Sequence, residues 1–298
     1  MKTKAMDGWK VVMLLLSNFP TVQLSNLPAQ TVDSLAFRLS GMTAITGYEQ
    51  AMTDSLLALL PGSTRDRMGN VTLTLGRGAP KRLISCSIDE IGYAVGNITD
   101  DGYLLLRRVG GGVRLYPLFD QQLEGHRVTL LGRKGPVPGV VAVRSTHLSR
   151  GRPAALEPPF TVDNAYVDVG ATSRDEVLAL GLSLLTPVSL TKRAHRYGDR
   201  LLAAPSAGRR AACAALASAA MTRPRVRGTV LVAFTVQGLY ADTAGVKTVR
   251  NLQGPFDETR QLTLPVRFAG TAVETVELRE VDALKTDILR WISGGGTP

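Results

Sequence analysis

Apolar and polar positions repeat with two different periods along this chain, and the changes of period mark its organisation. Helical spacing opens the regular part. Thr31 and Asp33 are candidate N-caps ahead of Leu35, Phe37 and Leu39, with Gly41 behind them. A second helix is predicted over Glu49–Leu60, with Ala51, Met52, Leu56, Leu57 and Leu60 on one face and Pro61-Gly62 as its stop. Period two then takes over. Val71–Leu75 alternates as a strand, and Arg82–Ser87 and Ile91–Ile98 are further strands rich in β-branched residues. Asp100-Asp101-Gly102 turns the chain into another at Tyr103–Leu106. Short strands at Val128–Leu131, Val137–Val143, Tyr166–Val169 and Val188–Leu190 make the stretch up to Tyr197 mostly β. One helix interrupts it, Ser173–Leu180, with Ser173 as cap and Glu176 at the capping-box position.

After Tyr197 the helical period returns. Ala207–Met221 is an Ala-rich helix, and Gly228–Val236 is a continuous apolar run, as in a strand covered on both faces. Ala241–Leu252 reads as a helix, Leu262–Phe268 as a strand, and Asp282–Ile292 as an amphipathic helix ended by Gly294–Gly296. The pattern predicts an α/β core made of both chain ends, residues 31–91 and 198–298, with a β-rich insert at 92–197. Residues 1–30 stand apart. Their apolar run Val11–Leu16 is far shorter than the ~20 residues a spanning helix needs. Lys2, Lys4 and Lys10 precede that run, which suits a degenerate signal-like segment; a frayed extension suits it as well, so exported and cytoplasmic settings both stay open.

Composition narrows the chemistry more than the fold. The chain has 298 residues, 44% hydrophobic and 20% charged, enough for a sizeable core and too apolar for wholesale disorder. Its two cysteines, Cys86 and Cys213, exclude a disulfide scaffold and a Cys-based zinc cluster. Cys86 reads as an inert buried thiol, having no evident His partner, and Cys213 as small core packing on the Ala-rich helix. Of the three histidines, His126 and His195 read as exposed loop residues flanked by arginines and His147 as structural. Gly110–Gly112 lacks the Lys-Ser/Thr ending of a phosphate loop. The net charge is +10, and residues 192–227 hold nine Lys/Arg against one acid, Asp199. Apart from Tyr197 no aromatics interleave them, so nucleic acid is not expected as a partner.

From residue 35 to 290 a series of short motifs follows a known order. Gly47-Tyr48-Glu49, Asp66–Asn70, Asp89–Gly92, Asp101-Gly102-Tyr103 and Val109-Gly110-Gly111 come first. Leu131–Gly135, Pro138-Gly139-Val140 and Thr146-His147-Leu148 follow, then Tyr166–Ala171 with Ser173–Glu176, Phe234–Gln237 and Leu264–Phe268. The chain thereby resembles the TET-type metallo-aminopeptidases, the glutamyl aminopeptidase and cellulase M group. The resemblance implies a three-layer α/β core with a mixed sheet and an inserted β-barrel-like domain that makes dimers, hence at least a homodimer here. It also implies two metal ions, zinc or cobalt, held by His, Asp and Glu. At those positions this chain departs from the family. The first His ligand falls at Ser87, the bridging Asp at Gly208, the Glu pair after Val236-Gln237 at Gly238, and the last His at Gly270. A stretch that carries one more Asp ligand is shortened to Asn251–Pro265.

A hydroxyl is a poor ligand and a glycine offers none, so the expectation is a non-catalytic homologue without a metal cofactor, acting as a structural, binding or partner subunit. The alternative is an active metal-dependent aminopeptidase with relocated ligands, which would need zinc or cobalt. Asp89 and Glu90 survive beside Ser87, and Arg209-Arg210 stand beside the bridging position. Those arginines suit either a site for a small anion or a peptide C-terminus, or internal ion pairs with Asp89 and Glu90.

Overall fold

A computed structural model describes residues 31–110, 120–142, 160–191, 193–240 and 243–294. The N-terminal segment, Gly111, Gly112, His147 and the stretch around it lie outside the described residues.

Helix α1 (Val32–Gly41) begins where the sequence places it, with the Thr31 side chain accepting the Ser34 amide. Helix α2 (Gln50–Leu59) follows, burying Met52 and Leu56. Strands β1 (Thr64–Arg65), β2 (Val71–Gly76) and β3 (Lys81–Ser87) lead into the insert. That insert is a closed six-stranded barrel of β4 (Gly92–Ile98), β5 (Leu104–Val109), β6 (Arg127–Gly132), β7 (Gly135–Val141), β8 (Tyr166–Asp168) and β9 (Pro187–Leu190). Inward-facing Val95, Leu104, Val128, Leu130, Val167 and Val188 fill it, and α3 (Arg174–Ala179) adds Val177. Closure leaves the barrel without a free sheet edge.

Strands β10 (His195–Tyr197) and β11 (Leu201–Ala203) follow, then α4 (Ala207–Met221), β12 (Thr229–Thr235), α5 (Ala244–Gln253), β13 (Glu258–Gln261), β14 (Thr275–Glu277) and α6 (Leu278–Ile292). The main sheet has the order β1-β2-β12-β3-β13, antiparallel across β1, β2 and β12 and parallel across β12, β3 and β13. Helices α1, α2, α4 and α6 share one hydrophobic cluster with one face of this sheet. On the other face Leu83, Leu231 and Ala233 meet Val246 and Val249 of α5. This is the expected three-layer arrangement, and β12 is an apolar run because both its faces are covered.

Three details differ from the pattern reading. The strand expected at Leu262–Phe268 lies at Glu258–Gln261, where it pairs with β3; of the expected residues only Arg267 makes a bridge, to Thr275. A second sheet, β10-β11-β14, has strands of three residues each, too short to have shown a period. The third concerns the cysteines. Cys86 and Cys213 are both buried, as expected, but they are joined in a disulfide across 127 residues, with Cα atoms 5.5 Å apart. Neither is a free thiol. Cys86 sits on the face of β3 that α4 covers, and that proximity follows from the sheet order, not from sequence spacing. His126 and His195 are exposed, as expected, but His195 is not in a loop: it opens β10 and pairs with Ala203.

Candidate functional site

The positions singled out by sequence gather at the C-terminal ends of β3 and β12. These strands run in parallel with Phe234 beside Cys86 and Thr235 beside Ser87, so their ends lie side by side. Ser87 Oγ is 3.3 Å from Thr235 Oγ1. Gly238 closes against the same group: a Cβ on it would lie 2.4 Å from Ser87 Oγ and 3.0 Å from Asp89 Oδ1. No side chain fits at Gly238 unless Ser87 moves.

Gly208 and Gly270 meet through a residue that sequence reasoning did not single out. The Glu274 carboxylate accepts the Gly208 amide on Oε1 and the Gly270 amide on Oε2, both at 2.9 Å. Gly208 opens α4, so Glu274 takes one of the orphan amides of that helix and lies at the positive end of its dipole. A Cβ at Gly208 would meet Val266 Cγ1 at 2.5 Å. The only trace of this role in the sequence is one acid in the otherwise uncharged stretch Thr271–Val276.

Between these two groups lie the carboxylates and arginines. Asp89 is fully buried; Oδ2 accepts the Leu239 amide at 2.7 Å, and Oδ1 faces Arg209 Nη1 at 3.2 Å. Glu90 Oε1 accepts the Ala44 amide at 2.9 Å, and Oε2 lies 3.5 Å from Arg210 Nη2. Arg209 keeps about a third of its side chain exposed (37%), whereas Arg210 has 1%. The Arg210 guanidinium lies in the field of Asp89 and Glu49, yet burial dominates and pulls its pKa down to about 10. Glu49 Oε1 accepts the Gln237 amide at 2.8 Å and ties the start of α2 to the end of β12. Burial raises the Glu49 pKa, against backbone amides that favour the charged form. Gln237 has φ 52°, a left-handed conformation uncommon for a residue with a side chain.

This arrangement has buried carboxylates held by backbone amides and guanidinium groups. Among the described residues no three His, Cys, Asp or Glu side chains converge as a metal site. Asp242, the acid nearest Gly238 in sequence, lies outside the described residues. Among the described residues no helix is long and apolar enough to cross a membrane.

Known proteins share this frame. The chain is 32% identical over 193 residues to SgcX of Escherichia coli (strain K12), covering 62% of this chain and 50% of that protein. It is 26% identical over 232 residues to the lysyl aminopeptidase of Pyrococcus furiosus, covering 76% and 63%. The chain thus spans about half to two thirds of the length of these relatives. The solved structure of the Pyrococcus horikoshii TET1 peptidase, which can assemble into a tetrahedron or a large octahedral shell, superposes with a TM-score of 0.74 at 20% identity, covering 89% of this chain and 100% of that one. A TET1 structure described as a dodecamer gives 0.75 at 19% identity, covering 89% and 99%. Residues 69–239, more than half of the chain, match the profile of the M42 glutamyl aminopeptidase family, and the chain belongs to that family.

Proposed function

We propose that this protein is a non-catalytic member of the M42 family that serves as a structural, binding or partner subunit. The observation that carries the reading is the set of side chains at the family's metal positions. Ser87 offers a hydroxyl, and Gly208, Gly238 and Gly270 offer nothing. Divalent zinc or cobalt needs several deprotonated nitrogen or oxygen donors around one point. The donors at hand do not fit that need, because Asp89 and Glu90 already face Arg209 and Arg210. A side chain at Gly238 would moreover require Ser87 to move, since a Cβ there would lie 2.4 Å from its Oγ.

Purified protein should carry less than one equivalent of zinc or cobalt per chain and should show no hydrolysis of aminoacyl-anilides above a blank. Turnover that EDTA abolishes and Co²⁺ restores, with two metals per chain, would establish the alternative of an active aminopeptidase with relocated ligands.

The arginine pair serves, in this reading, as the internal counter-charge of the site and not as a receptor for a free anion. Its guanidinium groups lie against carboxylates, and the helix amide that could hold an anion lies on Glu274. Phosphate or citrate should therefore leave the melting temperature unchanged; a rise that Arg209→Ala removes would favour an anion site. The barrel and the assemblies formed by the TET1 relatives support at least a homodimer. Light scattering should give a mass well above the 31.9 kDa of one chain.

A further inference from the structure

The fold scatters the basic run at residues 192–227. Arg200 pairs with Asp33 and Asp282, and Arg209 and Arg210 face Asp89 and Glu90. Arg223, Arg225 and Arg227 lie at the opposite end of the sheet from Ser87 and Gly238, between the last turn of α4 and the start of β12. Exposure alternates along this segment: the three arginines are exposed, and Pro224 and Val226 between them are half-buried. Val226 packs against the main core and against the end of β2, where a Cβ on Gly76 would lie 2.1 Å from its Cγ2. The exposed Arg77 follows that glycine and adds a fourth cation beside the row. The segments that meet here, 61–63, 76–80, 222–228 and 291–294, contain no acid. Asp257 and Glu258, at the β13 edge, already accept the Lys81 amide and the Trp291 indole. Arg223 donates to the Pro61 carbonyl, whereas the side chains of Arg77, Arg225 and Arg227 make no hydrogen bond or ion pair among the described residues. The backbone of the row is equally unengaged: the amides of Arg225, Val226 and Arg227 and the carbonyls of Pro224 and Arg225 have no partner among the described residues.

An exposed stretch with unpaired peptide groups can take up an extended segment from a partner. Side chains two positions apart in an extended chain stand on one side at a spacing of about 6.6 Å. Arginines at 223, 225 and 227 therefore match, position for position, carboxylates at every second residue of an extended partner, and each guanidinium can hold a carboxylate by two hydrogen bonds. We propose that Arg223–Arg227, with Arg77 beside it, is a docking edge for an extended acidic segment of another protein, one that carries Asp or Glu at alternate positions. A membrane surface fits less well, since it rewards a broad basic face with inserting apolar groups. This row is one chain wide, and its apolar residues, Pro224 and Val226, are the half-buried ones. No aromatic residue stands in the row to stack on nucleic-acid bases. Exposed charge pairs are individually weak and screened by salt, so the contact is a salt-sensitive one of micromolar strength. It uses none of Ser87, Gly208, Gly238 or Gly270, so its failure would leave the reading of a non-catalytic protein intact, and the reverse also holds.

The test is fluorescence anisotropy on the full chain with a labelled peptide that alternates Thr and Glu. A peptide of the same composition with its glutamates in one block, and one with Gln in place of Glu, serve as comparisons. The alternating peptide should bind saturably at low salt, several-fold more tightly than the block peptide, and the Gln peptide should not bind. The double variant Arg225→Gln/Arg227→Gln removes two side chains without partners, so it should keep the parent melting temperature and lose roughly tenfold in affinity, the equivalent of two exposed charge pairs. Arg127→Gln/Arg133→Gln removes the same charge from exposed positions on the barrel and should leave the affinity unchanged. Absence of binding, equal binding of the alternating and block peptides, or an equal loss in both double variants would overturn the proposal. So would tighter, Arg225- and Arg227-dependent binding to phosphatidylglycerol vesicles or to a single-stranded oligonucleotide, which would assign the row to a lipid surface or a nucleic acid instead.

Discussion

Reducing the Cys86–Cys213 bond should cost this protein a large part of its stability, and the size of the loss can be worked out in advance. The bond closes a loop of 127 residues that contains the whole barrel. In the chain-entropy description a loop of that length restricts the unfolded ensemble by about 5 kcal/mol at 25 °C. The native side changes little. Both cysteines are 1% exposed within the cluster that joins α4 to the sheet, and two thiols occupy almost the same space. Most of the effect should therefore lie in the unfolded state. Urea denaturation followed by circular dichroism, with and without a phosphine reductant, measures it. At a slope of about 3 kcal/mol/M the midpoint should fall by roughly 1.7 M. The chain holds no other cysteine, so no alternative pairing can blur the comparison. A Cys86→Ala/Cys213→Ala double variant should show a similar loss that no longer responds to the reductant. If the two midpoints coincide, and two thiols per chain titrate in denaturant without reductant, the reasoning fails.

Other perturbations bear on the site. Arg210→Ala should destabilise by about 3–5 kcal/mol in chemical denaturation, because it leaves Glu90 buried without its cation; adding Glu90→Gln should recover part of that loss. Gly245→Ala should cost about 3 kcal/mol, since a Cβ would lie 2.2 Å from the Val236 carbonyl oxygen and force α5 off β12. Glu49 holds its proton more tightly when folded than its ordinary value of 4.5 allows, so the folded state binds more protons than the unfolded one between the two values. Its contribution to stability should be present in full below pH 4.5 and should be lost as pH rises through the folded value; comparing the pH profile of Glu49→Gln with the parent checks this, and identical slopes above pH 4.5 would contradict it.

The sequence showed its long elements because burial imposes a period. The barrel strands β6 and β7 lie where the alternation of apolar residues puts them, and α4 and β12 where an Ala-rich run and a continuous β-branched run mark elements covered on all sides. The short sheet β10-β11-β14 escaped notice because three-residue strands carry no period, and β13 did because its exposed Glu-Thr-Arg-Gln run looks like loop. At the site, motif order located Ser87, Gly208, Gly238 and Gly270, and the fold brings them together in two groups, Ser87 with Gly238 and Gly208 with Gly270. The residue that joins the second group, Glu274, was hidden because its partners are backbone amides 66 and 4 positions away, which no side-chain pattern records. The disulfide was hidden for a related reason: its two ends are 127 residues apart and become neighbours only through the packing of α4 on β3.

Helix α4 constrains how this protein can vary over time. Thirteen of its fifteen residues are buried, eight of them alanines, and it touches α1, α6 and the sheet. An ordinary helix keeps a wet side on which substitutions drift freely. This one has no such side, so a saturation scan should show intolerance at every phase of the helical turn and not along one stripe. Each alanine sets how closely a neighbouring element approaches, and one added methylene would have to be matched by a loss on α1, α6 or the sheet. Divergent relatives should accordingly change this helix through coupled pairs, and single-site libraries directed at it should return mostly the parent residue.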